Sequence, residues 1–298
     1  MTKPIRDLPF RHGAKPQLGV EVFRLSELYA RAERLQLDHG LETPQRPEFH
    51  TLYVGLRGRS HMIVDFLPVP LGAGVLSVVA RGRVQYFVPE RGVDAWLVLF
   101  EPTVIEHASR VLSPAWTPPV VTMPAADRRD LIALVEAMHA EQIRPLDRLQ
   151  PAIMAAQLRL VLLRAERLLP DAIVQPPALE QFFTILERDY TTTREVAHYA
   201  RAAALSARRL GELLVAHTGK STKQVIDERV VLECKRLLVH TQLSVKELAA
   251  RIGFAEPTNL VKFFRHHTGT TPQAFRETQR TFLPSRRGSS PRGRRADG

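Results

Sequence analysis

The feature that most constrains this chain is a sequence pattern that occurs twice near its C-terminus. Residues 213–227 read LLVAHTGKSTKQVID and residues 263–277 read FFRHHTGTTPQAFRE. Both copies have two bulky apolar residues, two variable residues and then His-Thr-Gly. A match of this kind at one fixed offset predicts that a single supersecondary unit is present in two copies.

Each copy is typical of an Ala-rich helix, a short turn and a second helix that ends at a left-handed glycine. The two units span about 194–219 and 244–269. The second unit places Gly253 where a tight turn between helices requires positive φ, and the first unit has Ala203 at that position. Two short helices joined in this way form a helix-turn-helix, whose second helix can enter the major groove of DNA.

A helix predicted over 227–241 connects the units. Its inward stripe contains Val230, Val231, Cys234, Leu237 and Leu238. Such a helix would hold the units at a fixed separation, so that each could face one of two major-groove segments about 34 Å apart.

The run SVKELAARIGF followed by NLVKFFRHHTGTTPQAFR resembles the signature of the AraC/XylS-type transcriptional regulators, and the resemblance covers 178–280. It implies a sequence-specific DNA-binding regulator, favoured as an activator. Its implied partners are double-stranded DNA, a second copy of the chain and RNA polymerase. Glu212 departs from the family pattern, which commonly has Arg or Lys there, whereas Lys262 and Arg265 keep it.

The same resemblance implies which residues face DNA. The first set is Ser206, Ala207, Arg208, Gly211 and Glu212, and the second is Pro257, Thr258, Val261, Lys262 and Arg265. Arg208 suits guanine or phosphate, Glu212 could accept from cytosine, and Thr258 and Val261 suit thymine methyl groups. The alternative for each is an ordinary solvated helix face, and for Glu212 this alternative is favoured.

The N-terminal half has the pattern of an antiparallel sheet. From Phe49 to Phe100 short apolar segments, MIVDF among them, alternate with Gly and Pro turns, which predicts at least five strands in a small sandwich or barrel over 49–122. This region loosely resembles the effector-binding and dimerisation domain of many family members.

Two helices follow, over 125–170. The second is apolar around more than one face, with Leu158 and Leu162 among the residues expected in a dimer interface. The prolines of VQPP (174–177) suggest the domain boundary. The predicted fold class is therefore α+β, with a sensing and dimerisation domain over 1–175 and an all-α DNA-binding domain over 178–281.

The positive charge is distributed unevenly along the chain. The net charge of +11 divides into +2 for 1–177, +5 for 178–280 and +4 for 281–298. The excess suits a polyanionic partner, although a solvated basic surface is the alternative. The tail 282–298 has the composition of a disordered segment. A single cysteine and the absence of long apolar runs lead us to expect a cytoplasmic protein without membrane segments.

An effector pocket in 20–120 would use His50, Tyr53, Arg83, Tyr86 and Trp96, although sheet packing is the alternative for each. An enzyme hypothesis, a metal-dependent cupin-type domain, is weak because His50 and His61 are isolated and RVQYF offers Gln85 in place of a ligand His. We therefore expect no metal, no cofactor and no enzymatic activity. A non-specific nucleoid-type DNA binder would explain the charge but not the sheet domain.

Overall fold

The computed structural model describes residues 5–10, 15–34, 41–88, 90, 92–105, 110–112, 120–169 and 176–282. The strands are β1 (Arg6–Leu8), β2 (Val20–Arg24), β3 (Gln45–Pro47), β4 (His50–Arg57), β5 (Arg59–Val64), β6 (Leu67–Gly72), β7 (Val75–Val79), β8 (Gln85–Phe87), β9 (Asp94–Phe100) and β10 (Val120–Thr122). The helices are α1 (Leu25–Arg34), α2 (Ala125–Ile143), α3 (Gln150–Arg167), α4 (Pro177–Asp189), α5 (Val196–Ala202), α6 (Ala207–Thr218), α7 (Thr222–His240), α8 (Val245–Ile252), α9 (Pro257–Thr268) and α10 (Pro272–Phe282). The predicted basic tail lies outside the described residues from 283 onward, as do 174 and 175 of the expected boundary.

The strands form two five-stranded sheets with the orders β1-β3-β8-β5-β6 and β10-β7-β4-β9-β2. The described strands do not close into a barrel, so the barrel alternative is wrong. The prediction also began the sheet too late, since β1, β2 and β3 all precede residue 49. These strands pair with distant partners, as β2 does with β9, and their short sequences carry little periodic signal of their own.

The central strand β4 explains why the N-terminal half has layers. Its residues from His50 to Gly55 are all buried, so both faces of its sheet are covered. Leu52 and Val54 belong to a core shared with α2 and α3, whereas Tyr53 belongs to a second core shared with the other sheet. Because successive side chains of a strand point to opposite faces, one strand supplies both cores.

Helix α3 turns a different face outward from the one that the sequence suggested. Leu158 and Leu162 are 1% and 3% exposed and pack in the core against the sheet. They therefore cannot belong to an exposed dimer surface. The exposed apolar residues of this region are Ile143, Leu146, Leu149, Ile153, Leu160 and Leu163.

The C-terminal helices surround α7. One core contains α4, α5 and α6 with Val225 and Ile226 from the start of α7, and another contains α8 and α9 with α7 residues from Val230 to Leu238. The five residues of the predicted inward stripe are all buried. Helix α7 therefore belongs to both cores, with its first turn in one and the rest of its length in the other.

The β5–β6 turn joins the two halves of the chain. The sequence predicts one apolar strand segment through MIVDF, but β5 ends at Val64, and Asp65 and Phe66 form a two-residue turn with φ of 48° and 71°. Positive φ is unfavourable for residues other than glycine and costs about 1–3 kcal/mol each. The turn is held because Asp65 bonds to Arg236 of α7, at 2.7 Å from Nε and 2.6 Å from an Nη.

In the described part of the chain, no helix combines the length and the apolar character that crossing a membrane requires.

Candidate nucleic-acid interface

Each of the two repeated units is closed by local capping. Ser206 caps α6 by accepting a hydrogen bond at 3.1 Å from the backbone N–H of Arg209. Ser244 and Glu247 form a reciprocal capping box at the start of α8. Both second helices end at a left-handed glycine, Gly219 with φ of 69° and Gly269 with φ of 73°. The sequence therefore encodes the limits of these helices locally.

The turns inside the two units differ. Gly253 ends α8 with φ of 78°, as the spacing predicted. In the first unit the left-handed residue is Ala204, with φ of 54°, and Ala203 has φ of −89°. The expected equivalence of Ala203 and Gly253 is therefore wrong by one residue, because alignment of the repeat does not fix the register of a turn that lacks glycine.

A direct contact fixes one unit against the other. Arg194, just before α5, places its guanidinium 3.7 Å from the ring centroid of Phe254 and donates a hydrogen bond at 2.7 Å to the carbonyl of Ile252. A Cβ on Gly253 would lie 1.8 Å from the carbonyl oxygen of Thr191. The segment before α5 thus packs closely on the turn of the second unit.

Helix α6 exposes a face with paired charges. Leu210 and Leu214 are buried, while Ala207, Arg208 and Glu212 are exposed and Gly211 is half-buried. Glu212 accepts from Arg208 at 3.0 Å and from Arg209 at 3.2 Å. The guanidinium groups of Arg208 and Arg209 lower the pKa of Glu212. The carboxylate therefore offsets part of the positive charge on this face.

Helix α9 exposes a more basic face. Leu260 and Phe264 are fully buried, whereas Thr258, Lys262 and Arg265 are exposed and Pro257 and Val261 are half-buried. The side chains of Lys262 and Arg265 have no hydrogen-bond or ion-pair partner among the described residues. Their charges are therefore available to an anion, in contrast to those of Arg208 and Arg209.

The sequence interpretation overlooked Val215. It lies on α6 one turn after Gly211 and Glu212, and it is 53% exposed. The repeat offset pairs it with Arg265, so the alignment itself could have identified this position. An exposed branched apolar side chain on such a face suits a thymine methyl group.

The histidines of the repeat have ordinary contacts. The Nδ1 atom of His217 lies 3.0 Å from the carbonyl oxygen of Leu213. His267 lies 3.6 Å from a carboxylate oxygen of Asp227 and packs on Phe263. Within the described ranges, no group of three or more His, Cys, Asp or Glu residues could hold a metal ion.

The five residues expected in an effector pocket are not brought together. Tyr53 lies between the two sheets, and Trp96 packs on the opposite face of its sheet, toward α2 and α3. His50 stacks on Phe100, and Arg83 is paired with Asp65 at 3.0 Å. Tyr86 lines a cavity of about 30 Å³ beside the β5–β6 turn. That volume suits one or two water molecules, not an organic effector.

Two helix-turn-helix units built around one shared helix define the class of this C-terminal domain. A family model described as a helix-turn-helix domain matches residues 199–278. The "HTH-type transcriptional activator RhaS" of Salmonella schwarzengrund is 29% identical over 118 residues, which are 40% of this chain and 42% of the relative. The chain thus spans less than half the length of this curated relative.

Solved structures give related matches. The DNA-binding domain of AdpA, solved with a target DNA, is 30% identical and matches over 36% of this chain and 96% of its own, with a TM-score of 0.33. ToxT from Vibrio cholerae O395 is 12% identical over 78% of this chain and 90% of its own, with a TM-score of 0.40. The C-terminal domain therefore contains a helix-turn-helix domain, and this part of the chain is similar to transcriptional regulators of the AraC/XylS type.

Proposed function

We propose that this protein is a sequence-specific DNA-binding transcription regulator whose two helix-turn-helix units contact neighbouring major-groove segments. One observation carries the proposal. Helices α6 and α9 bury their apolar faces in two cores that both include residues of α7, and they leave polar faces exposed. Helices held in this way can present side chains to base edges without exposing the core.

The two recognition helices have different chemistry, which predicts an asymmetric target. On α9, Lys262 and Arg265 are suited to guanine or phosphate, with Thr258 beside them. On α6, Ala207, Gly211 and Val215 leave room for thymine methyl contacts around Arg208. Glu212 acts on this surface as an acceptor for Arg208 and Arg209 more than as a direct contact to cytosine.

A rigid connection between the units supports a fixed spacing in the target. Helix α7 is packed into both cores, and Arg194 joins the first unit to the turn of the second. Loss of rotational freedom between two weakly binding modules raises the effective concentration of the second after the first has bound. We therefore expect a target with two half-sites about one helical turn apart.

The exposed apolar stripe of α3 supports pairing with a second copy of the chain. Leu149, Ile153, Ala156, Leu160 and Leu163 follow one another at alternating spacings of four and three residues. That alternation is the pattern of a coiled-coil seam, and four of these side chains are large, apolar and at least 38% exposed. We propose that this seam is the dimer interface.

Activation by a small molecule is the remaining part of the proposal. It rests on the family resemblance and on the name of the relative RhaS, a transcriptional activator. The dispersed positions of His50, Tyr53 and Trp96 mean that any effector site in this conformation uses a subset of the five proposed residues. RNA polymerase is the partner that activation implies.

The test is a mobility-shift assay of the full chain, with DNA chosen by sequencing the genomic fragments that it retains. Replacing Lys262 and Arg265 by Ala should weaken binding, by about 1–3 kcal/mol for each side chain that contacts a base. If Lys262 reads a base, its loss should also relax one position of the target.

The matched control removes two exposed cations of the N-terminal half, Arg129 on α2 and Arg148 before α3. The Arg129→Ala, Arg148→Ala variant should bind like the wild type. Equal weakening in both variants would reduce the role of Lys262 and Arg265 to general charge, and no binding to any duplex at low salt would reject the proposed function.

A further inference from the structure

The two halves of the chain meet at a buried ionic cluster. Asp65, from the β5–β6 turn, lies between Arg83 of its own half and Arg236 of α7, and all three are less than 9% exposed. Its carboxylate also accepts from the backbone N–H of Val84 at 3.1 Å. Burial alone would raise the pKa of Asp65, but the guanidinium groups of Arg236 and Arg83 bring it below the ordinary value.

The neighbouring residue of the turn provides an aromatic contact. Phe66 stacks on His240 of α7, with centroids 6.2 Å apart, and meets Phe275 of α10 edge-on at 6.3 Å. Phe275 in turn packs against Phe264, a core residue of α9. One turn of the N-terminal half therefore contacts both α7 and α10, on residues other than the proposed DNA contacts.

The backbone of this turn is unfavourable by itself. A two-residue hairpin with positive φ at both positions ordinarily uses Asn-Gly, Asp-Gly or Gly-Gly, because most side chains are crowded in that conformation. Here the residues are Asp and Phe, with φ of 48° and 71°. Aspartate suits the first position, whereas phenylalanine is a poor residue for the second. Phe66 is well placed against α7 and α10, which indicates that docking, not local hairpin stability, accounts for it.

A second ion pair crosses the same boundary. Arg46 of β3 donates to Glu233 of α7 at 3.2 Å, and its side chain is 28% exposed. Water screens this pair more than the Asp65–Arg236 pair, where both side chains are at most 4% exposed. The turn is therefore the stronger of the two ionic connections.

We propose that the Asp65–Phe66 turn is a strained docking switch, which fastens the N-terminal sheets to α7 and α10 and whose own backbone favours release. In the docked state the sheets hold the helix to which both DNA-binding units are attached. A shift of β5 or β6 would be transmitted to α7 through this turn. This docking joins the two halves of the chain whether or not DNA is bound.

The test measures a distance between the halves. Arg57 at the end of β4 and Lys246 on α8 are both exposed, and both are changed to Cys in the full chain for spin labelling. Burial raises the pKa of the native thiol of Cys234 to about 12, so the introduced thiols react selectively. Mixed with an excess of unlabelled chain, so that label pairs between copies do not contribute, the wild-type background should give one narrow distance distribution by pulsed electron spin resonance.

Two substitutions then loosen the docking by different routes. Asp65→Asn removes the charge with little change in shape, and Phe66→Gly removes the ring while making positive φ easy. Each should widen the distribution at least about twofold, as expected for domains that become free to move. Circular dichroism should show that both variants keep their secondary structure.

The matched control is Asp130→Asn, which breaks the ion pair of α2 with Arg164 at 3.8 Å on the exposed surface. Its distance distribution should equal that of the wild type. A broad distribution in the wild type, or a narrow one in either Asp65→Asn or Phe66→Gly, would overturn the proposal. Phe66→Gly is the more stringent variant, because a purely local role of the turn predicts that glycine tightens it.

Discussion

At the scale of single residues, the glycines of the second unit differ in what surrounds them. Gly253 and Gly269 both have positive φ, so alanine is strained at either. Only the Cβ at Gly253 would meet backbone, at 1.8 Å from the Thr191 carbonyl oxygen, while nothing lies within 4 Å of the position at Gly269. The pair thus separates the cost of backbone strain from the cost of a steric clash.

We expect Gly269→Ala to lower the free energy of unfolding by about 1 kcal/mol. Gly253→Ala should cost at least about 2 kcal/mol more, because Thr191 must move away from Gly253. Urea unfolding of both variants measures the difference. Equal losses would mean that the segment before α5 is not held against the second unit.

Two buried histidines make stability depend on pH. Burial, together with the charge of Arg81, lowers the pKa of His50 to about 4. For His240, burial and the nearby Arg46 and Arg236 also lower the pKa to about 4, against the opposing effect of Asp65. In the unfolded chain both take up a proton near pH 6.5, so acidification favours unfolding before the folded protein can bind that proton.

The free energy of unfolding should therefore be constant above about pH 6.5 and fall as pH decreases toward about 4. Each histidine contributes up to about 3 kcal/mol to that loss. Between these pH limits, His240→Gln should remove about half of the histidine-dependent change in the free energy of unfolding with pH. His50→Gln should remove the other half. Urea titrations at several pH values give the slopes, and a wild-type slope retained in both variants would contradict this assignment.

At the scale of elements, α3 shows how a helix can be apolar on two sides for two reasons. Leu158 and Leu162 complete the core against the sheet, and Leu160 and Leu163 lie on the opposite, exposed face. Glutamate at the first pair would introduce unpaired charge into a core and unfold the domain. Only substitutions at Leu160 and Leu163 can therefore test an interface between two copies of the chain.

We expect Leu160→Glu with Leu163→Glu to give a folded monomer that binds a two-site target about 10²-fold more weakly or worse. Sedimentation of the wild type and the variant measures the first effect, and a mobility shift the second. The control is Ala133→Glu with Ala137→Glu, which adds the same charges to exposed positions of α2. A wild type that sediments as a monomer, with and without DNA, would exclude the dimer.

At the scale of the whole molecule, charge and architecture point to the same partner. The basic excess is concentrated in 178–298, and α9 carries its unpaired Lys262 and Arg265 there. Binding to DNA should weaken as salt rises, because each phosphate neutralised by a cation releases a counterion. We expect affinity to fall at least about tenfold between 50 and 200 mM salt. In a plot of log affinity against log salt concentration, each phosphate contact should contribute roughly 1 to the negative slope.

The slope of log affinity against log salt concentration also distinguishes side chains that contact phosphate from those that contact bases. Lys262→Ala should reduce it by about 1 if Lys262 contacts phosphate, and should leave it nearly unchanged if the loss is confined to one target sequence. Fluorescence anisotropy with labelled duplexes at several salt concentrations measures both. Affinity independent of salt would contradict a contact surface based on these cations.

The sequence by itself determined the repeated units, the glycine ends of their second helices and the apolar positions of α7. These features are encoded over a few residues: the serine caps, the left-handed glycines and the helical spacing of buried residues all act within one or two turns. The same locality made the alternation of β4 readable, and with it the presence of a sheet.

Only the tertiary structure decided how these parts meet. Asp65 and Arg236 are 171 positions apart in the chain, and no local pattern marks Asp-Phe as a turn. The exposed face of α3 likewise depends on which surfaces other elements cover. The same is true of the separation of Tyr53, Arg83 and Trp96. A contact between distant segments is selected by the shape and charge of both partners together, whereas the pattern of either segment specifies only its own conformation.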